Sequence, residues 1–327
     1  MALHDRQSMW TRQGCILAPE DLPQGIRLIQ SPTAWVLSNG LVRIAMAVRD
    51  AQNISSMMTL DVDPANNMQI VRDASQTSIT PEFVTKMGFA GLGPCDAIWH
   101  QGQLWLYASQ VTLKGAIYDA SILLLTSEDE GKTFSRPQSI LTSAANSDFP
   151  VIMPTVRQYS GSWHMWFTAF EAWQMDIKPR PDARYSIRYA QSEDGIVWTV
   201  QPGKAIALAG DCEAGMASPT ASPKGRPEEL WFSVRGPYDG DPSLRQYHLA
   251  YARVSEGENW QRADSLQSFA NPPERGEWDC DMQCYPNVVE LPDGRTCMFY
   301  CGNGYGAAGF GYAIRTEGND VGREAAA

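Results

Sequence analysis

Five segments of the sequence repeat one design, and this repeat constrains the fold more than any other feature. Each segment holds a proline, a short β-prone stretch, a turn and then an apolar or aromatic strand. The prolines recur at intervals of 62, 60, 65 and 67 residues, at Pro32, Pro94, Pro154, Pro219 and Pro286. A unit of about 60 residues with three or four short strands matches one blade of a β-propeller. The repeat therefore predicts an all-β fold, a five-bladed β-propeller with four-stranded antiparallel blades.

Turn signals support the repeat. Four predicted hairpins carry a dipeptide that favours positive φ, namely Asn39-Gly40, Gln101-Gly102, Ser160-Gly161 and Asp293-Gly294. A second motif follows the third strand of three blades, as SEDEGKTF from Ser127, SEDGIVW from Ser192 and SEGENW from Ser255. It supplies an acidic residue and a glycine for a turn, and then an aromatic residue that can pack between sheets.

The blade boundaries follow from the spacing. We predict blades near 26–85, 86–145, 146–210, 211–275 and 276–320 within one domain, 1–327. Residues 1–25 are predicted to form an N-terminal extension or a closing strand, with CILAP as a candidate. Hydrophobic residues make up 43% of the chain, which is enough apolar surface for a core of this size.

Charge and cysteine content exclude several classes of partner. The formal net charge is −11, and such a field repels phosphate backbones and anionic membrane surfaces, so no nucleic acid or membrane is predicted as a partner. The N-terminal residues show no apolar signal segment, so the predicted location is cytoplasmic. Seven cysteines without a signal segment indicate reduced thiols. The pairs Cys280-x3-Cys284 and Cys297-x3-Cys301 suit buried thiols on two flat strands better than a zinc site, so neither a metal nor a cofactor is predicted.

The last repeat carries a resemblance to a known family. WDCDMQCYPNVVELPDGRTCMFYCGNGYGAAGFGYA, from Trp278 to Ala313, resembles the final blade of bacterial glycosidase-like five-bladed propeller proteins. The likeness continues in SWHMWF, YSIRYAQSEDGIVW and CEAGMASPT, and covers roughly residues 30 to 315. This group lies in the clan of the family 43 and family 32 glycoside hydrolases, which cut glycosidic bonds with two carboxylates and a helper. The resemblance implies a glycan or a sugar-containing small molecule as the ligand of the central channel.

The usual carboxylate triad of that clan is not preserved. The resemblance implies an Asp directly before the prolines of blades 1 and 3, and a Glu two residues before the proline of blade 4. This sequence has Ser31, Met153 and Ala217 at those positions. A Phe-Asp-Asp element of the closer group is replaced by Phe89-Ala90-Gly91.

Three retained acidic residues are the candidates for catalysis. Glu213 lies six residues before Pro219 and is predicted to be a general acid whose pKa is raised by an enclosed site. The alternative is a rim carboxylate paired with an arginine such as Arg235. Asp279 and Asp281 precede the first strand of blade 5, and an extended segment would put both on one face as a base or a sugar-hydroxyl acceptor. The alternative for both is the capping of a turn.

Further residues are predicted to bind substrate because they lie beside a proline of the repeat or at the end of a second strand. They are Arg49, Asp96, Met153, Met216, Arg235, Tyr285, Asn303 and Tyr305. Two alternatives stay open here. Asp96 could instead bond nearby backbone N–H groups, and the charged residues that end second strands, Arg49 and Arg235, could form ion pairs at the end of a sheet.

The predicted channel positions are small, soft or apolar, namely Ser31, Cys95, Met153, Met216, Ala217 and Cys284. We therefore expect a partly apolar small molecule in the channel. Three functions are compatible with these residues. The first is an enzyme acting on a sugar or sugar-containing molecule by carboxylate acid–base chemistry. The second is a non-hydrolytic enzyme of small-metabolite synthesis, for example a cyclase, and the third is a catalytically silent ligand-binding propeller. SEDEGKTF also matches the Asp-box turn of sialidases, but their arginine triad and tyrosine nucleophile are not identifiable.

Overall fold

The computed structural model describes residues 8–177, 181–238, 245–254 and 259–316. These residues form a predominantly β structure, as the repeat predicted. Two short helices are present, α1 (Pro81–Lys86) and α2 (Asn303–Gly306). Short 3-10 helices occupy Pro19–Asp21, Pro64–Asn66, Ser143–Asn146 and Asp264–Leu266.

Twenty strands in the described part of the chain group into five antiparallel segments of four. The first segment consists of β2 (Leu28–Val36), β3 (Val42–Arg49), β4 (Ser55–Asp63) and β5 (Gln69–Gln76). The second consists of β6 (Gly91–His100), β7 (Gln103–Lys114), β8 (Ile117–Ser127) and β9 (Gln138–Leu141). The third consists of β10 (Val151–Tyr159), β11 (Ser162–Gln174), β12 (Asp182–Ser192) and β13 (Thr199–Val200).

The fourth segment consists of β14 (Gly215–Ala221), β15 (Glu229–Arg235), β16 (His248–Val254) and β17 (Trp260–Arg262). The fifth consists of β18 (Cys284–Glu290), β19 (Thr296–Cys301), β20 (Phe310–Arg315) and β1 (Trp10–Leu17). Its outermost strand, β1, pairs antiparallel with β20, so a strand from near the N-terminus completes the last segment. Single parallel pairs join the first segment to the second, at Ser55 and Gly91, and the third to the fourth, at Tyr185 and Gly215.

The first strands of the five segments contact one another in cyclic order. β2 contacts β6, β6 contacts β10, β10 contacts β14, β14 contacts β18, and β18 contacts β2. Side chains on these strands accept hydrogen bonds from backbone N–H groups of the next segment. The four bonds are Ala34 N to Asn287 Oδ1 at 2.9 Å, Val156 N to Asp96 Oδ2 at 2.7 Å, Ala221 N to Thr155 Oγ1 at 3.3 Å and Val288 N to Thr220 Oγ1 at 3.0 Å. A buried N–H group without a partner is costly, so these bonds help to fix the order of the segments.

The repeated Ser-Glu-Asp motif forms the turn that the sequence predicted. Asp129 accepts from Thr133 N at 2.9 Å, and Ser127 Oγ accepts from Gly131 N at 2.8 Å. The second copy repeats this at Ser192, whose Oγ accepts from Gly195 N at 2.9 Å. Its aromatic residue, Trp198, is buried in a cluster with Tyr107 of the second segment. In the third copy, residues 255–258 lie outside the described residues.

Candidate functional site

Most of the predicted site residues lie at strand ends, and these strand ends share one edge of the segments. Because neighbouring strands are antiparallel, the start of each first strand, the end of each second strand and the start of each third strand share that edge. We call this edge the mouth. Tyr285 lies at the start of β18, Arg235 at the end of β15 and Tyr185 near the start of β12.

A continuous series of aromatic rings lies along the mouth and spans four segments. We call it the aromatic arc, and its members are Tyr118, Phe170, Trp173, Tyr185, Tyr247, Tyr285 and Tyr305. Phe170 and Tyr185 stack with ring centroids 4.8 Å apart. Tyr247 lies 5.9 Å from the Tyr285 ring and 5.9 Å from the Tyr305 ring. Met153 packs against the same hydrophobic cluster, so the arc supplies an apolar lining.

A buried ion pair lies within the arc. Arg235 donates to both carboxylate oxygens of Asp182, at 2.8 and 3.2 Å, and its Nε donates to the Tyr185 hydroxyl at 2.6 Å. Burial alone would raise the pKa of Asp182, but the hydrogen bonds and charge of Arg235 outweigh it and hold that pKa below its usual range. Asp182 is therefore an ionised partner of Arg235.

The phenol groups of the arc form hydrogen bonds with one another and with the backbone. The hydroxyls of Tyr185 and Tyr247 are hydrogen bonded to each other, and the Tyr305 hydroxyl donates to the Arg245 carbonyl at 2.9 Å. Burial raises the pKa of Tyr247 and of Tyr285 well above its usual value. Such phenols can donate hydrogen bonds to a ligand, but they are poorly suited to serve as bases.

Backbone strain marks the mouth positions of the first strands. Ser31, Met153, Ser218 and Tyr285 each precede a repeat proline and have φ between 51° and 55°, a region that side-chain-bearing residues rarely adopt. Hydroxyls of the preceding segment accept their N–H groups, with Ser109 Oγ 2.8 Å from Met153 N and Ser233 Oγ 2.9 Å from Tyr285 N. The structure thus stabilises the unusual backbone where these residues meet the mouth.

The structure corrects the expectation for Glu213. Arg262 donates to both of its carboxylate oxygens, at 2.8 and 2.9 Å, and Ala209 N donates at 2.7 Å. Burial alone would raise the pKa of Glu213, but these bonds lower it below its usual range, which is opposite to the shift expected of a general acid. Its partner is Arg262 of the outermost strand β17, and not Arg235.

Asp279 and Asp281 do not share one face, because they lie in turns before β18 and not in an extended strand. Asp279 is fully buried and forms a bidentate pair with Arg12 of the outermost strand β1, at 2.7 and 2.9 Å. Tyr300 also donates to Asp279 at 2.7 Å. Asp281 is exposed, and its carboxylate has no hydrogen bond or ion pair among the described residues. Glu213 and Asp279 are thus each paired with an arginine of an outermost strand, Arg262 of β17 and Arg12 of β1.

Two further residues that were predicted to contact substrate have buried side chains. Asp96 is 4% exposed and accepts from the nearby Ala97 N at 3.0 Å, which is the alternative that the sequence left open. It also accepts from Val156 N, Thr155 Oγ1 and Arg157 of the third segment. Met216 is 0% exposed and packs in a cluster with Trp166, between the third and fourth segments. Both residues hold the segments together.

The other predicted residues differ in their hydrogen-bond partners and in their position relative to the arc. Arg49 is half-buried and its Nε donates to Ser55 Oγ at 3.1 Å, whereas Asp50 accepts backbone N–H groups in its own turn. The Asn303 side chain is committed to the loop before β18, accepting from Asp281 N at 2.8 Å and from Met282 N at 2.9 Å. Of the predicted residues, Met153, Arg235, Tyr285 and Tyr305 are the ones brought together around the arc.

Sequence reasoning did not find Asp182, Tyr185 or Tyr247. Arg235 was singled out because it ends a second strand, and the same reasoning applied to the start of a third strand would have found Asp182 and Tyr185. Tyr247 directly precedes β16 and could have been found in the same way.

The described residues contain neither a cluster of metal-binding side chains nor a helix that could span a membrane. Within 8–177, 181–238, 245–254 and 259–316, no group of three or more His, Cys, Asp or Glu side chains is placed to hold a metal ion. Over the same ranges, every helix is too short or too polar to cross a membrane.

Comparisons with known proteins agree on the fold. No protein family model matches the chain. Uncharacterized proteins from two strains of Mycobacterium tuberculosis are each 25% identical over 308 residues, which cover 93% of this chain and 98% of the relative.

Solved structures give the more informative comparison. A glycoside hydrolase matches with a TM-score of 0.65 and 14% identity, over 94% of this chain and 91% of that one. An alpha-L-arabinofuranosidase from Podospora anserina, in complex with cellotriose, matches with a TM-score of 0.63 and 13% identity, over 95% and 98%. A protein solved as an RGII complex has a TM-score of 0.65 and 14% identity, over 98% and 95%. The chain therefore has a glycosidase-like β fold, and the resemblance noted in the sequence is confirmed.

Proposed function

We propose that this protein is a five-bladed propeller that binds a sugar-containing small molecule at its mouth without two-carboxylate hydrolysis. The cyclic contacts of the five first strands and the glycosidase-like neighbours support the blade arrangement. The neighbour solved as an RGII complex supports a glycan or a glycan-derived molecule as the ligand class. A single domain, with the five segments as its blades, follows from the same proposal.

One observation carries the proposal about chemistry. The mouth presents aromatic rings and phenol groups around a paired Arg235, whereas Glu213 and Asp279 are each paired with an arginine of an outermost strand. Glycoside hydrolysis requires one carboxyl group to donate a proton and another to act as base or nucleophile. Aromatic rings instead stack on sugar or aryl faces, and phenols orient hydroxyl and carbonyl oxygens.

A titration with paired ligands tests this proposal. We expect 4-nitrophenyl glycosides to bind about tenfold more tightly than the matching methyl glycosides, because the aryl group adds apolar contact with the arc. Calorimetry measures the affinity, and absorbance measures any released nitrophenol. Tyr247→Phe should weaken binding, while Tyr251→Phe, a buried tyrosine outside the arc that donates to Glu229, should not.

The same assay addresses acid–base hydrolysis, which remains the second candidate because the Asp281 carboxylate is exposed. Nitrophenol release by the wild-type protein, abolished by Asp281→Asn and retained by Tyr251→Phe, would establish hydrolysis and overturn the proposed binding function. Equal affinity for aryl and methyl glycosides would argue against an apolar mouth.

A further inference from the structure

The aromatic arc is not a closed ring. Its members come from the second, third, fourth and fifth segments, and the first segment contributes none of them. At the same edge, the second strand of the first segment ends at Arg49. The side chain of Arg49 is half-buried, so part of it remains accessible to a molecule at the mouth. The first segment thus carries a cation at the edge to which the arc supplies rings elsewhere.

Backbone contacts place Arg49 between the two ends of the arc. On one side, Arg49 ends the strand that pairs with β2, and the Ile29 carbonyl of β2 packs so closely against the α2 turn that Gly306 has no room for a Cβ atom. On the other side, Arg49 pairs with Ser55 of β4, which pairs in turn with Gly91 at the start of the second segment. Arg49 therefore lies at the opening of the arc, between the fifth segment and the second.

Arg49 and Arg235 occupy the same position in their segments, at the end of the second strand, but differ in their partners. Arg49 Nε donates to Ser55 Oγ at 3.1 Å. Arg235 Nε likewise donates to the Tyr185 hydroxyl, and its Nη groups bind the Asp182 carboxylate. The Nη groups of Arg49 have no hydrogen bond or ion pair within the described part of the chain. They are therefore available as donors to a ligand.

The acidic residues of this part of the mouth do not pair with Arg49. Asp50 directly follows it, but one oxygen of the Asp50 carboxylate accepts from Gln52 N and from Ile54 N, both at 2.9 Å, within its own turn. Asp281, in the loop before β18, forms no ion pair with Arg49 either. The whole protein carries a net charge of −11, which repels anions, so an anionic ligand at the mouth needs a local cation such as this one.

The residues before the repeat prolines are small in the two segments next to Arg49. They are Ser31 in the first segment and Gly93 in the second, and both are partly exposed. The third and fifth segments have the larger Met153 and Tyr285 at this position. Small residues leave more space for the polar part of a ligand beside the guanidinium, while its apolar part packs on the arc.

We propose that the ligand at the mouth carries an anionic group, a carboxylate or a phosphate, and that Arg49 binds it. This inference rests on the proposed function, because it concerns the same mouth and the same sugar-containing ligand. The anionic group accepts charge-assisted hydrogen bonds from the Nη groups of Arg49. Ser55 acts as a positioning residue, since the bond from Nε to its hydroxyl restrains the guanidinium.

Calorimetry with three matched ligands tests this inference. They are 4-nitrophenyl glucoside, 4-nitrophenyl glucuronide, which has a carboxylate in place of the sugar CH2OH group, and 4-nitrophenyl glucoside 6-phosphate. We expect the wild-type protein to bind one or both anions about tenfold more tightly than the glucoside, because charge-assisted hydrogen bonds are stronger than neutral ones. The anion that binds more tightly identifies the ligand as a uronate or a sugar phosphate. Raising the salt concentration should reduce the preference, because salt screens the charges.

Substitutions of Arg49 then test whether it is the residue that binds the anion. Arg49→Gln should abolish the preference for the anion over the glucoside, and Arg49→Lys, which keeps the charge, should retain part of it. Arg253→Gln, at an exposed arginine near the end of β16 on the opposite edge, is the matched control and should keep the full preference. The ligand and salt series on the wild-type protein remain informative even if Arg49→Gln does not fold.

Two results would overturn the inference and leave the proposed function intact. One is that the wild-type protein binds the glucoside but binds neither anion more tightly. The other is that Arg49→Gln keeps the full preference, which would assign the anion to a different cation. If none of the three ligands binds, the binding function proposed for the mouth fails together with this inference.

Discussion

Two buried arginine–aspartate pairs have the same chemistry and different surroundings. Arg235 and Asp182 lie at the mouth, with side-chain exposures of 7% and 4%. Arg12 and Asp279 lie within the fifth segment, between β1 and the loop before β18, with 8% and 0%. Both pairs are bidentate. The mouth pair touches Tyr185 of the aromatic arc, whereas the other pair touches Tyr300 and Glu277. The comparison teaches that buried ion pairs of the same geometry differ in what surrounds them, and only the pair at the mouth contacts the aromatic arc at which we propose a ligand.

The pair of Arg12 and Asp279 joins residues that are distant in the chain. It holds β1, near the N-terminus, against the loop that leads into β18. The pair of Arg235 and Asp182 instead joins the neighbouring third and fourth segments. We therefore expect loss of the first pair to affect folding alone, and loss of the second to affect folding and the ligand.

The largest effect is expected at Asp279. Asp279→Ala removes the buried, bidentate partner of the Arg12 guanidinium and leaves it only the exposed Glu277 carboxylate as an acidic partner, which should lower the free energy of unfolding by about 3–5 kcal/mol. Urea unfolding followed by circular dichroism measures this change. The double variant Arg12→Met with Asp279→Leu should recover most of the loss, because it removes both charges and keeps the volume. A loss of less than about 1 kcal/mol for Asp279→Ala would contradict a structural role for the pair.

Asp182→Asn should have a smaller effect on stability and an additional effect on the ligand. It keeps the size of the side chain but removes the charge that holds Arg235, so we expect a loss of about 3 kcal/mol. Affinity for 4-nitrophenyl glycosides should fall as well, because Arg235 positions the Tyr185 hydroxyl. Asp279→Ala, assayed at a temperature where it is still folded, serves as the control and should retain that affinity. Equal losses of affinity in the two variants would contradict the claim that only the pair at the mouth affects ligand binding.

A buried carboxylate with two arginine partners, in the first segment, isolates the electrostatic part of the comparison. Asp61 accepts hydrogen bonds from Arg43 and Arg72. Burial alone would raise the pKa of Asp61, but these bonds lower it from 3.8 to about 2. Because the pKa of Asp61 is lower in the folded state, its ionised form stabilises the fold. This stabilisation is complete above about pH 4 and is lost as the pH falls towards 2. It amounts to about 2 kcal/mol in the free energy of unfolding.

Urea unfolding from pH 6 down to pH 3 measures this linkage. The difference in stability between wild type and Asp61→Asn should shrink as the pH falls through that window. Asp281→Asn, at an exposed carboxylate, is the control and should change stability by less than about 0.5 kcal/mol throughout. A difference for Asp61→Asn that stays constant with pH would mean that its ionisation is not linked to folding.

The fold was predictable from sequence because its signals are local. The repeat prolines lie in the first strands, and the Ser-Glu-Asp motif forms the turn after the third strand. The pairing of acids was not predictable, because it depends on contacts distant in sequence. Asp279 lies 267 residues from Arg12, and Glu213 lies 49 residues from Arg262. Proximity to a first strand suggested that both acids face the channel, yet each is bound by an arginine of an outermost strand.

The aromatic arc was predictable only in part, because two of its tyrosines are distinguished only by contacts between residues distant in the sequence. Tyr285 and Tyr305 stand beside recognisable sequence features, a repeat proline and the end of a second strand. Tyr185 and Tyr247 resemble the many other aromatic residues of the strands, and only their contacts across neighbouring segments set them apart.

The smallest predicted effect concerns the hydrogen bonds between the first strands of neighbouring segments. Like the buried ion pairs, these bonds join parts of the fold, but they involve uncharged groups. Thr220→Val keeps the shape of the side chain and leaves the buried N–H of Val288 without an acceptor, so we expect a loss of about 1.5 kcal/mol in urea unfolding. Thr33→Val is the matched control, because the Thr33 hydroxyl donates to Ser31 O at 3.2 Å within its own strand. That variant should lose about 0.5 kcal/mol, since a carbonyl oxygen is more readily satisfied by other donors. Equal losses in the two variants would mean that the hydrogen bonds between first strands contribute no stability beyond that of an ordinary bond within one strand.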